Sequence, residues 1–170
     1  VCGGDGSSCE PSGCDAAACL SIENVNIDAG TLDVMITNSE PIGGFQFELQ
    51  GITILDISGG SASQYFDILD FNSSTGIILG ASISGDSIPA GESLLVQVTF
   101  TYLEGQDICF GIDPINNVIS DTMADEIDTD WGNCYCNPNN PADECGVCNG
   151  PGAIHECGCY EIEDIDTGTN

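Results

Sequence analysis

The sequence predicts an all-β domain, a sandwich or barrel, framed by irregular segments rich in disulfides. Three observations predict it. Short stretches of the middle alternate apolar and polar side chains with a period of two, the signature of half-buried strands. Gly, Asn, Asp and Pro punctuate these stretches at short intervals, as in NSEPIGG, SGDSIPAGE and EGQD. All cysteines but Cys109 lie before residue 20 or after residue 133, among Gly, Ser, Asn and Pro.

Four zones follow. Residues 1–19 form a cysteine-rich linker with almost no large apolar side chains. Residues 20–130 carry the strand signals. Residues 131–159 return to Cys, Gly, Pro and Asn, and residues 160–170 form a strand-like tail. Within the second zone, TLDVMIT aligns Leu32, Val34 and Ile36 on one face, and GFQFELQ aligns Phe45, Phe47 and Leu49. GITILDI and GIILGASI supply further strands. SLLVQVTFTY places Leu94, Val96, Val98, Phe100 and Tyr102 on one side, with Gln97, Thr99 and Thr101 on the other. No helical stripe competes with this pattern.

These residues resemble a known family. SIENVNIDAGTLDVMITNSEPIGGFQFELQGITILDI is similar to the opening strands of a cohesin domain, GIILGASISGDSIPAGESLLVQVTFTY to its central strands, and NVISDTMADEI to its last hairpin. The resemblance implies a cohesin-like, immunoglobulin-like jelly-roll β-sandwich over residues 20–130, an extracellular setting, and a binding or scaffolding role without catalysis.

The chain has 28 acidic residues, no Lys, no Arg and one His, a formal charge of −28. A nucleic-acid backbone is not a partner for such a surface, and neither is an anionic membrane. A compact body of this charge repels itself, and no basic side chain is present to relieve it. Calcium, which takes six to eight oxygen ligands, is the expected cofactor. Asp121, Asp125, Glu126, Asp128 and Asp130 cluster in SDTMADEIDTDWG, and Asp5, Asp143, Glu144, Asp164 and Asp166 are further candidates. DTDWGN is not an EF-hand loop, because its Gly falls one place early and no Glu closes it.

Eleven cysteines in a short acidic chain predict an oxidising, extracellular location, secreted or at the cell surface. No run is long and apolar enough to span a membrane. The first residues lack the apolar run of a signal peptide, so a mature or excised piece is expected. CGVCNGPG fits the C-x-x-C-x-G-x-G zinc motif of Hsp40-type chaperones, and zinc at Cys145, Cys148, Cys157 and Cys159, with His155 nearby, is the alternative cofactor. The same segment resembles the disulfide-bonded cysteine-rich region of thrombospondin-motif metalloproteases. Disulfides are the favoured reading for Cys2, Cys9, Cys14, Cys19, Cys109, Cys134, Cys136, Cys145, Cys148, Cys157 and Cys159. Spacing cannot fix their connectivity. Cys148 with Cys157 and Cys19 with Cys109 are the pairs expected here.

The two ends repeat each other. CYEIEDIDT from Cys159 matches CLSIENVNI from Cys19 at a constant offset of 140 residues, and VCNGPG matches VCGGDG from Val1. Either the chain is one window on a tandem array, or the tail donates a strand through Ile162 and Ile165 to a neighbouring copy. Both make it a unit that meets copies of itself head to tail. Asn72-Ser73-Ser74 is the only acceptor triplet for N-glycosylation. Acidic pairs are too common here to mark an active site, and His155 stands apart from any nucleophile. The function expected is a structural unit of a calcium-stiffened, disulfide-stapled surface fibre or matrix. The alternative is a calcium-dependent adhesion or carbohydrate-binding module with glycan partners.

Overall fold

The computed structural model describes residues 14–143 and 145–152. They form two packed β-sheets. β1 (Ala18–Asn26), β2 (Thr31–Asn38), β7 (Gly91–Tyr102), β4 (Ile52–Ser58) and β10 (Thr129–Asp130) build the first sheet, in the order β10-β1-β2-β7-β4. β5 (Ile68–Asn72), β6 (Ile77–Ala81), β3 (Gly44–Gln50) and β8 (Cys109–Phe110) build the second in that order, and β9 (Val118–Ser120) also pairs with β3.

Alternation explains the core. Leu32, Val34 and Ile36 of β2 and Phe45, Phe47 and Leu49 of β3 all point between the sheets and are buried. They meet Val96, Val98 and Phe100 of β7 and Ile78 of β6 in one continuous cluster. Facing sheets pack about 10 Å apart, so these side chains interdigitate without a third layer. Phe47 stacks on Phe45 at 5.4 Å and meets the edge of Phe110 at 5.5 Å. Gly80 of β6 lies beneath Phe45, where a Cβ would run into the ring.

β7 departs from simple alternation. Its register against β2 shifts between Val34↔Val96 and Met35↔Leu94. The extra residue of this bulge, Leu95, is fully buried beside Val96, while Leu94 is only half-buried. The expected face through Leu94 is therefore corrected to one through Leu95. A six-residue helix, α1 (Gly60–Tyr65), which the sequence pattern does not announce, carries the chain from β4 toward the second sheet.

Three disulfides join Cys14 to Cys19, Cys109 to Cys134 and Cys136 to Cys148, and Cys145 is also disulfide-bonded. The expected pairs Cys19–Cys109 and Cys148–Cys157 are not formed. Leu20 and Phe110 point inward, so their neighbours Cys19 and Cys109 point outward from opposite sheets, with the core between them. Cys148 is taken by Cys136. Zinc at Cys145, Cys148, Cys157 and Cys159 does not fit, because two of the four thiolates it needs are disulfide sulfurs.

The registers set a polarity. Ala18 of β1 lies beside Asn38, which lies beside Gly91, at one pole of the sandwich. Tyr102 lies beside Ile52 at the other pole. The chain enters at the first pole, stapled by Cys14–Cys19. Parallel to β1, β10 starts at that pole and runs toward the second. There Tyr135 exchanges backbone hydrogen bonds with Ile108, at 2.8 and 2.9 Å, and Cys134 bonds Cys109. Trp131, between β10 and that joint, packs on Phe110 at 5.6 Å. No helix among the described residues is long and apolar enough to cross a membrane.

Candidate docking face

The two outer faces differ in chemistry. On the first sheet, Asp33, Thr37, Gln97, Thr99 and Thr101 point outward. The carboxylate of Asp33 accepts hydrogen bonds from the amides of Asn24, at 2.9 Å, and Gln97, at 3.0 Å. That face also carries Leu55, 56% exposed, and the half-buried Met35–Leu94 pair among its polar side chains.

The second sheet presents three cross-strand rows. Leu69 and Phe71 of β5 pack on the core, so Ile68, Asp70 and Asn72 face outward. The register then lines Ile68 with Ala81, Gly44 and Ser120. It lines Asp70 with Leu79, Gln46 and Val118, and Asn72 with Ile77 and Glu48. β6 supplies an aliphatic stripe of Ile77, Leu79 and Ala81, and the strands around it add Ile68 and Val118 together with the amides of Gln46 and Asn72, the Ser120 hydroxyl and the Asp70 and Glu48 carboxylates. Loops extend it. Ile83 is 77% exposed beyond the Ile68 row, and Ile112 and Ile115 are 95% and 79% exposed beside β3. Ile68, Ile83, Ile112 and Ile115 are the large exposed apolar side chains on and around this sheet.

Those loops are held in place. One carboxylate oxygen of Asp67 accepts the Ile83 and Ser84 backbone N–H groups and the Ser84 hydroxyl, each at 2.8 Å. The Ser84 N–H and hydroxyl and the Ile83 N–H hold the Asp67 carboxyl below the usual carboxylate range. On the other side, buried Asn117 donates to Gly111 and Asp113 carbonyls and accepts the Glu48 N–H at 3.0 Å. Gln46 reaches the Ile115 carbonyl at 3.2 Å. Sequence reasoning missed both devices. The polar Asn117 between Ile115 and the apolar Val118-Ile119 pair is a signal that could have found the second.

The candidate calcium residues separate. Asp121 accepts the Met123 and Asp125 N–H groups, at 2.7 and 3.0 Å, and shapes its own turn. Asp130 accepts the Gly132 N–H at 2.9 Å. Asp125 and Glu126 are exposed in the same hairpin. Asp128 and Asp130 line a groove with Asp15 beside Cys14–Cys19 at the entry pole. Asp143 accepts the N–H groups of Cys145, Val147 and Gly152, at 2.9, 3.0 and 2.8 Å. The Val147, Gly152 and Cys145 donors hold its carboxyl below the usual range. Gly150 packs on the same carboxylate, which leaves no room for a Cβ. Residues 145–152 are thus wound around Asp143. Among the described residues, no group of three or more His, Cys, Asp or Glu side chains converges to hold a metal ion. Asp5, Glu144, Asp164, Asp166, Cys2, Cys9, His155, Cys157, Cys159, Ile162 and Ile165 lie outside the described residues.

Known structures share the architecture. CaCohA2 from Clostridium acetobutylicum, determined in solution, superposes with a TM-score of 0.51 at 16% identity, covering 69% of this chain and 87% of that one. A chain of the crystal structure of a complex between CaCohA2 and a variant of CaDoc0917 gives 0.51 at 17%, covering 66% of this chain and 93% of that one. A non-cellulosomal cohesin from the hyperthermophilic archaeon Archaeoglobus fulgidus gives 0.46 at 16%, covering 68% and 84%. No protein-family model and no curated protein sequence matches the chain. The fold is a cohesin-like β-sandwich, as the sequence resemblance implies.

Proposed function

We propose that the chain is a non-catalytic structural module of an extracellular assembly, a unit of a surface fibre or matrix joined head to tail to further copies. The observation that carries this reading is the separation of entry and exit. The chain enters at one pole behind Cys14–Cys19, and its C-terminal loop is fastened at the other by Cys109–Cys134. A unit stapled at opposite ends transmits direction from one copy to the next. The repeat at an offset of 140 residues supplies the start of a next unit, or a strand for it.

The outer face of the second sheet is the proposed docking surface for a protein partner. Its aliphatic β6 stripe favours a protein, and the Asp70 and Glu48 carboxylates beside that stripe favour basic side chains on the partner. The adhesion or carbohydrate-binding alternative gains no support, since sugar platforms use exposed aromatic faces. Among the described residues, Phe45, Phe47, Phe66 and Phe110 are buried and Trp131 packs on the core.

Calcium enters this proposal as a shield. With −28 to neutralise and the carboxylates dispersed, divalent ions would bridge acidic surfaces, including the Asp15, Asp128 and Asp130 groove at the entry pole. The test is the particle size of native material by light scattering and electron microscopy, before and after EDTA. Filaments that fall apart support calcium-dependent assembly. Filaments that persist support a tandem chain or strand exchange and overturn the calcium element. Monomers in both conditions overturn the fibre.

A further inference from the structure

We propose that Asn72 is an attachment site for an N-linked glycan. The triplet Asn72-Ser73-Ser74 is the only one of its kind in the chain, and the structure prepares it for modification. Asn72 is the last residue of β5, and residues 72–75 are all exposed at the tip of the β5–β6 hairpin. The Gly76 N–H donates to the Asn72 carbonyl at 2.8 Å and closes the turn.

The side chain is oriented by its own backbone. Its Oδ1 accepts the N–H of Ser74 at 2.9 Å and of Thr75 at 3.3 Å. This Asx turn fixes the amide plane with the oxygen inward. Nδ2 makes no hydrogen bond within the described residues and is left for a reagent from solvent. Two donors on Oδ1 also draw electron density from the amide and make its N–H more acidic. The Ser74 hydroxyl, which a transferase reads two residues after its Asn, is likewise free of partners among the described residues.

The co-substrate is a glycan carried on a lipid phosphate or diphosphate, delivered by a transferase. Nδ2 attacks the anomeric carbon and forms the N–C bond. The bond from that carbon to the phosphate oxygen breaks, and the lipid phosphate leaves with its electron pair. The amide proton passes to a base of the transferase. Nothing is oxidised or reduced.

The position gives the sugar a consequence. β5 is an edge strand, and an exposed edge invites pairing with other chains. Asn72 also closes the Ile77–Glu48 row of the proposed docking face. A glycan there would cover the edge and one end of that face, leaving the Ile68 and Leu79 rows open.

The inference rests on the extracellular reading, so the experiment uses material washed from the surface of the cells that make it. Trypsin has no site in a chain without Lys or Arg, so cleavage after acidic residues is used, giving a peptide of residues 71–86. Electron-transfer fragmentation then locates any sugar. The expected result is a glycan on Asn72, lost in Ser74→Ala and in Asn72→Asp. Asp keeps the same two backbone hydrogen bonds, so that chain folds. Unmodified peptide throughout, or sugar only on Ser73, Ser74 or Thr75, overturns the proposal while the surface location of the material stands.

Discussion

The carboxylate of Asp143 accepts the N–H of Gly152 at 2.8 Å, across the segment that carries Cys145 and Cys148. One acidic side chain thereby holds together a loop with almost no apolar core. In Asp143→Asn, an amide NH2 would face a backbone donor, whichever way the group is turned. We expect faster hydrogen exchange at Cys145, Val147 and Gly152, and faster reduction of Cys136–Cys148. The β-sandwich should keep its exchange pattern.

The same carboxylate sets a pH dependence. Its folded value lies below the ordinary 3.8, because the Val147, Gly152 and Cys145 N–H groups stabilise the anion. A depressed carboxylate contributes its stability fully above the unfolded value, and that contribution is lost as pH falls through the folded value. Loop exchange should therefore be flat from neutral pH down to roughly pH 5 after correction for intrinsic rates, and accelerate below pH 3.8. Acceleration already at about pH 6 would contradict this assignment.

Cys109–Cys134 closes a loop over a sequence separation of 25. Its loss in Cys109→Ser/Cys134→Ser should cost about 3 kcal/mol. For a domain of this size that lowers Tm by about 10 °C, readable by calorimetry.

Phe47 is fully buried against Phe45, Phe110 and Trp131. Phe47→Ala should cost about 3–5 kcal/mol in chemical denaturation. Gly80→Ala should cost about 1–3 kcal/mol by the opposite route, since the new methyl displaces the Phe45 ring.

Leu79→Asp tests the docking face. Leu79 is half-buried and points away from the core, so circular dichroism should be unchanged. Binding of a partner protein should weaken at least about 10-fold. An unchanged affinity would move the interface elsewhere.

Much of the fold is legible because sheet faces obey a period of two. Leu32, Val34 and Ile36 read correctly from the sequence alone. Leu94 does not, because one bulge residue shifts the phase and nothing local announces it. The cysteine pairs fail for a related reason: Cys19 and Cys109 both flank the sandwich, but pairing depends on which way each side chain points. The site was less legible still. The acidic run gives no sign in the sequence that backbone N–H groups bond Asp121, Asp130 and Asp143 each within its own turn. In a chain without Lys or Arg, amides and peptide groups are the positive partners that remain.

Tension applied through the two ends would meet an uneven chain. Between Cys109 and Cys134 the backbone is bypassed by a covalent bridge, so β9, β10 and Trp131 cannot be drawn out while the disulfide holds. Among the described residues, the long stretch left between two bridges runs from Cys19 to Cys109, about 90 residues or roughly 300 Å when fully stretched. Between those two bridges, stretching would draw out β1 to β7 and go no further while Cys109–Cys134 holds. Reduction of Cys109–Cys134 would lengthen that limit and let β9 and β10 be drawn out in turn.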